Sequence, residues 1–108
     1  MQAPTTRPQT HVEDWTDERL APRYHLVLLD DDHHTYQYVI VMLGAIFKYT
    51  VEKAYAIACA VDSDGRAILM TGGEEEVRRK QEAVHAFGAD PMMPESQGSM
   101  SAIIEPVE

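Results

Sequence analysis

The stretch YHLVLLDDDHHTYQYVIVML, residues 24–43, changes its hydrophobic period part-way along, and that change decides the fold. Tyr24 to Leu29 form a short apolar run, rich in β-formers and closed by charge, which reads as a strand. Past Thr35, the residues Val39, Met42, Leu43 and Ile46 recur at helical spacing. They predict a helix from Tyr36 to about Lys48 with Thr35 as its N-cap. Between strand and helix stand Asp30, Asp31, Asp32, His33 and His34. Adjacent carboxylates repel one another and resist desolvation, so folding alone does not require them. Two readings stay open: a solvated strand end beside a helix N-terminus, where acids are stabilised, or a seat for something cationic.

The rest of the chain follows outward from there. Thr50 opens a second helix whose apolar stripe is Ala54, Ile57, Ala58 and Val61, and Gly65 can take the left-handed conformation that stops it. RAILMT, residues 66–71, is a second strand, with Gly72 and Gly73 as a turn. Residues 73–88, GEEEVRRKQEAVHAFG, place acids first and bases one turn later, which suits a third helix ended by Gly88. Residues 89–99 carry two prolines and read as a surface loop, with Met92 and Met93 as loop anchors; residues 100–107, MSAIIEPV, are a last strand. The order β-α-α-β-α-β predicts an α+β domain, one sheet with helices packed on its apolar face. Residues 1–22, rich in Thr, Pro and charge, are expected to be a flexible tail before a domain at 23–108. Trp15 is its exception, set to dock on a partner or to fold back.

Composition narrows the function. The chain has 108 residues, 44% hydrophobic and 25% charged, as expected of one soluble globular domain. Nine Lys and Arg face eighteen Asp and Glu, for a net charge of −9. A nucleic-acid track needs clustered bases, and only Arg78-Arg79-Lys80 approaches one; basic peptides, amines or a basic partner surface suit the sign better. No apolar run is long enough to cross a bilayer, and MQAPTTRPQTHVEDW has no hydrophobic segment of a secretory signal. Cys59, alone, excludes an internal disulfide and fits a reducing cytoplasm; its small apolar neighbours mark an inert thiol. His33 and His34 beside acids are donors that zinc or nickel would accept, but adjacent histidines on a turn rarely converge on one ion, so no metal is expected. No Gly-rich phosphate loop implies a cofactor, and Ser63 and Ser99 lack evident catalytic partners. An Asp31–His34 dyad is all that a hydrolase reading can offer.

The segment from Tyr24 to Ile68 resembles the ClpS family, the adaptors of Clp AAA+ proteases. The resemblance is carried by Asp30-Asp31-Asp32, Tyr38-Val39, Tyr49, Val51-Glu52-Lys53-Ala54 and Gly65-Arg66-Ala67-Ile68, in order and without gaps, and more loosely on to Ile104. It implies a three-stranded antiparallel sheet against three helices, no enzymatic activity, no cofactor, and a cytoplasmic adaptor. Such adaptors bind the free N-terminal residue of a substrate (an N-degron, typically Leu, Phe, Tyr or Trp) and deliver it to an unfoldase. An ammonium needs anionic acceptors beside an apolar hole for the first side chain.

By the resemblance, Asp30 stands where Asn is frequent, and Asp31 matches the Asp that reads the peptide backbone. Val39 and Val61 match pocket walls, and Ile104 falls near the Leu that closes the pocket from the last strand. Four positions depart from the pattern. His34 replaces a Thr that helps form the pocket, Tyr36 a gate residue that is often Met, and Ala58 a Met of the floor. Asp62 replaces the His that shares the α-amino group. A carboxylate accepts from an ammonium at least as well as a His does. Ala58 enlarges the hole while Tyr36 adds bulk and a hydroxyl, so an altered side-chain preference is implied. Glu75 and Lys80 fall where the family contacts the N-terminal domain of a ClpA- or ClpC-type unfoldase, or else form a solvated helix face. Alternative readings are an interaction module of the same fold that does not read N-degrons, and a binder of small amines.

Overall fold

The computed structural model describes residues 21–107; the tail reading for residues 1–20, with Trp15, lies outside the described residues. The elements are β1 (Tyr24–Leu29), α1 (Tyr36–Phe47), α2 (Val51–Asp64), β2 (Arg66–Gly72), α3 (Glu74–His85) and β3 (Ala102–Pro106). The strands form one antiparallel sheet in the order β2-β1-β3. The α+β layout read from periodicity is the one observed.

Both threonines do what their position suggests. Thr35 Oγ1 accepts from the Tyr38 N–H at 3.0 Å and Thr50 Oγ1 from the Lys53 N–H at 3.1 Å, each satisfying a free donor of a first turn. α2 ends at Gly65, whose φ of 82° few other residues adopt and whose N–H returns to the Val61 carbonyl at 2.9 Å. That turn also anchors the end of β1, because the Asp30 N–H donates to the Gly65 carbonyl at 3.0 Å. The first acid is thereby fastened beside the last turn of α2.

Leu26 and Leu28 of the central strand face the helices and are buried in one core with Val39, Met42, Leu43, Ala54, Ala58, Val61, Val77 and Val84. A bulge between Leu26 and Val27 admits one extra residue of β2, Leu69, into this core. Tyr49 ties the α1–α2 connection to β2, its hydroxyl donating to the Leu69 carbonyl at 2.6 Å. Val27 looks to the opposite face, where the Arg66–Glu105 ion pair joins the two edge strands across β1.

Several boundaries differ from expectation. Ile46 and Ile57 are only partly buried, whereas Tyr38 is nearly enclosed and donates its hydroxyl to the Gly88 carbonyl at 2.6 Å. Gly72 finishes β2 rather than turning, and Gly73 is the N-cap of α3. α3 ends at His85, three residues before Gly88. β3 starts at Ala102, so Met100 is free to turn inward, where it is 2% exposed. The 89–99 segment is not merely a surface loop. Asp90 is buried within it, accepting from the Thr35 N–H at 2.6 Å and the Met92 N–H at 2.9 Å.

Candidate functional site

Beyond the C-terminal end of β1, between the starts of α1 and the end of α2, lies a cavity of about 160 Å³. Val39 from α1, Ala58 and Val61 from α2, and Met100 from the approach to β3 supply its apolar wall. Asp30 and Asp32 from the turn, and Asp62 from α2, supply carboxylates; His34 and Tyr36 complete the lining. Among the described residues, neither Lys nor Arg lines it. The site is therefore a small hollow, apolar on one side and bordered by carboxylate oxygens on the other.

Its acids are held differently. Asp30 Oδ1 accepts from the Asp32 N–H at 3.2 Å, closing a tight turn. Asp32 has φ 62°, a left-handed conformation that short polar side chains tolerate. In that turn Asp30 and Asp32 line the cavity while Asp31 does not. Asp31 instead accepts from the His33 N–H and from His34 Nδ1, both at 2.9 Å. It borders a separate open cleft of about 420 Å³ with His33, Glu95, Gln97 and Ser99. His34 lines both hollows. Asp62 accepts from the Tyr36 hydroxyl at 2.6 Å. That bond, followed by burial, raises the Tyr36 phenol well above the ordinary tyrosine range.

Of the residues expected at a pocket, Asp30, His34, Tyr36, Val39, Ala58, Val61 and Asp62 come together; Asp31 and Ile104 do not line it. Ile104 pairs with Leu26 in mid-sheet, whereas the cavity lies past the end of β1. A residue that closes the cavity must precede β3, and Met100 does. Asp32 and Met100 are the two lining residues that sequence reasoning passed over. The sign for Asp32 was its place in the same acid run; for Met100, a large apolar side chain just outside a strand.

The remaining assignments have clear positions. His34 Nε2 meets the Gly98 carbonyl at 2.7 Å, and Ser96 Oγ, unnoticed in the sequence, lies 3.2 Å away. Asp31, His34 and Ser96 thus line up in an order used by hydrolases. A carbonyl only accepts, so the closer contact requires the proton on Nε2, where a general base must have none. Ser96 Oγ in turn accepts from the Asp90 N–H at 2.9 Å. The trio is a structural clasp between the 30–34 turn and the 89–99 segment. Glu75 is exposed on the first turn of α3. Lys80 is half-buried: its Nζ donates to the Ile46 carbonyl at 2.9 Å and sits 5.4 Å from the Phe47 ring, neutralising the carbonyl end of α1.

Comparison with known proteins bears on this geometry. The sequence pattern of the family described as "ATP-dependent Clp protease adaptor protein ClpS" matches residues 19–94. The chain belongs to the ClpS family. Among its relatives, the ClpS of Nitratidesulfovibrio vulgaris is 37% identical over 75 residues, 69% of this chain and 70% of that one. The ClpS of Salmonella arizonae is 32% identical over 81 residues, 73% and 76% of the two chains. The solved structure of Agrobacterium tumefaciens ClpS2 bound to L-phenylalaninamide superposes with a TM-score of 0.68 at 20% identity, covering 80% of this chain and 98% of that one. This last likeness is one of fold. As a ClpS family member the chain is a Clp protease adaptor, and adaptors of this family are not enzymes. No helix of the described residues is long and apolar enough to cross a membrane.

Proposed function

We propose that this adaptor captures proteins by a free N-terminal residue, an N-degron, and delivers them to the AAA+ unfoldase of a Clp protease. The observation that carries the reading is the juxtaposition of Asp30, Asp32 and Asp62 with the apolar wall of Val39, Ala58, Val61 and Met100. An α-ammonium presents three donors to the carboxylates while the first side chain enters the hollow. Size supports an aromatic or branched aliphatic side chain. The cavity of about 160 Å³ is close to the ~150 Å³ apolar cavity that admits benzene. The ClpS2 structure, with its phenylalanine amide, supports the same class of ligand. The following residues of the substrate would leave across the 31–34 turn, where Asp31 and the neighbouring cleft offer acceptors for backbone N–H groups.

Asp62 in place of His, and Tyr36 and Ala58 in place of methionines, give this site its own selectivity. The unfoldase, of ClpA or ClpC type, would meet the exposed face of α3 at Glu75; Lys80, committed to the end of α1, contributes mainly by holding α3 in place. The test is fluorescence anisotropy with peptides beginning in Phe or Leu, each free and N-acetylated. Acetylation removes the charge, and binding is expected to fall at least tenfold, on the order of one charge-assisted hydrogen bond. Equal binding of both forms, or none across all twenty first residues alongside retained capture of an unfoldase N-terminal domain, would leave an interaction module that does not read N-termini.

The floor makes a separate prediction. Ala58 is buried and faces the hollow. Ala58→Met would occupy space that a large first side chain needs, and overpacking costs about 1–3 kcal/mol. Peptides beginning in Trp or Phe should lose roughly tenfold in affinity, and those beginning in Leu distinctly less. Parallel losses for all three would mean that Ala58 does not touch the first side chain.

A further inference from the structure

Two of the departures from the family pattern, Tyr36 and Asp62, lie 26 residues apart and are bonded to each other at 2.6 Å. The bond has a physical task. Asp62 is on the last turn of α2, the negative end of the helix dipole, and that turn contains no basic residue. Asp64 is two residues away, and Asp30 and Asp32 share the cavity with Asp62. Among the described residues Asp62 forms no ion pair. Each of these neighbours pushes the carboxylate outward into solvent, and the Tyr36 hydroxyl holds it back. The Tyr36 ring is itself braced, meeting Tyr55 edge-on at 5.7 Å between centroids. Tyr36 therefore lies along α2 from Tyr55 to Asp62, lining the cavity while 38% exposed.

We propose that Tyr36 is a positioning residue: by donating to one oxygen of Asp62 it keeps the carboxylate over the cavity, with its remaining lone pairs free for the ammonium of a chain's first residue. A carboxylate has about four acceptor positions, so the phenol and an ammonium are compatible guests. The two departures then form one unit, in which the tyrosine makes an aspartate at this position usable. The inference rests on the reading of the cavity as a site for a free N-terminus.

A double-mutant cycle on the full chain tests it, with a peptide beginning in Phe as the probe, free and N-acetylated. Tyr36→Phe keeps the ring and its contact with Tyr55 and removes only the donor. The free peptide should lose about fivefold in affinity, the scale of one exposed hydrogen bond, and the acetylated peptide nothing. Asp62→Ala should cost about tenfold, and Tyr36→Phe added to Asp62→Ala should cost nothing more. If Tyr36 were only a wall, Tyr36→Phe would leave the free peptide unchanged, or would weaken both peptides equally and multiply with the loss from Asp62→Ala. Either result overturns the inference while leaving the cavity reading intact. Failure of the unmodified protein to prefer the free peptide would overturn the cavity reading, and this inference with it.

Discussion

Asp30→Asn combined with Asp62→Asn is expected to weaken binding of a free N-terminal Phe peptide by about 100-fold, while binding of the acetylated peptide stays where it was. Asparagine is the informative replacement because it preserves shape. Its side-chain oxygen can still accept from the Asp32 N–H at position 30, and from the Tyr36 hydroxyl at position 62. What disappears is charge. One carboxylate at ~4 Å attracts an ammonium by about 4 kcal/mol at an effective dielectric near 20, before desolvation is subtracted. These side chains are partly solvated, so the net share of each is a fraction of that. Two such fractions suffice for two orders of magnitude. The double variant should not be less stable. Acids that border one hollow repel each other, and Asp62 also stands at the negative end of α2, so their neutralisation relieves the fold. A loss of binding with an undiminished urea midpoint is the signature to look for. Unchanged preference for the free peptide would mean that the carboxylates do not read the ammonium. Added salt should weaken the unmodified protein's grip on the free peptide more than the variant's, because screening acts on the charges that the variant lacks.

What the sequence disclosed, and what it withheld, follows from which forces act locally. Strand, helix and cap positions were legible because Leu26, Leu28, Val39, Met42, Ala54 and Val61 repeat at the period of the element that buries them. Thr35, Thr50 and Gly65 were legible because caps are local chemistry. The acids were legible as a cluster, but not as individuals. Whether Asp31 or Asp32 lines the cavity depends on a single left-handed residue at position 32, which no periodicity announces. Ile104 was expected to close the cavity because the resemblance, loose beyond Ile68, put it near the closing position, whereas Met100, just ahead of β3, is the residue that lines it. Strand ends are set by where hydrogen bonding to β1 stops, a tertiary fact. The bond from Tyr36 to Asp62 joins two helices and has no local signature at all. The same holds for Asp90, Ser96 and Gly98, polar residues in an aperiodic segment that acquire partners only when the segment folds back on the 30–34 turn.

That segment yields the largest expected effect on stability. Asp90→Ala should destabilise the protein by about 3 kcal/mol, because it leaves two backbone donors, at Thr35 and Met92, without their acceptor. In a domain whose total stability is roughly 5–15 kcal/mol, urea denaturation will register the loss as a markedly lower midpoint. Its dependence on pH carries the sharper test. Burial pushes the Asp90 carboxyl up, but the N–H donors of Thr35 and Met92 and the neighbouring His34 outweigh it and hold the group below the usual carboxylate range. The folded protein then binds fewer protons at this site than the unfolded chain does, so stability rises with pH there. The contribution is complete above the unfolded value, about pH 4, and is lost as the pH falls through the lower folded value. Asp90→Asn should therefore flatten the acid limb of the stability curve as well as lower its plateau. Parallel acid limbs for Asp90→Asn and the unmodified protein would exclude a charged, donor-stabilised Asp90. The consequence reaches the site without touching it. Gly98, which receives His34, and Met100, which closes the cavity, are both carried by the stretch that Asp90 fastens to the start of α1. Asp90→Asn should accordingly weaken capture of a free N-terminus several-fold even where the protein remains fully folded, since a wall that is no longer pinned must be ordered again each time a ligand binds.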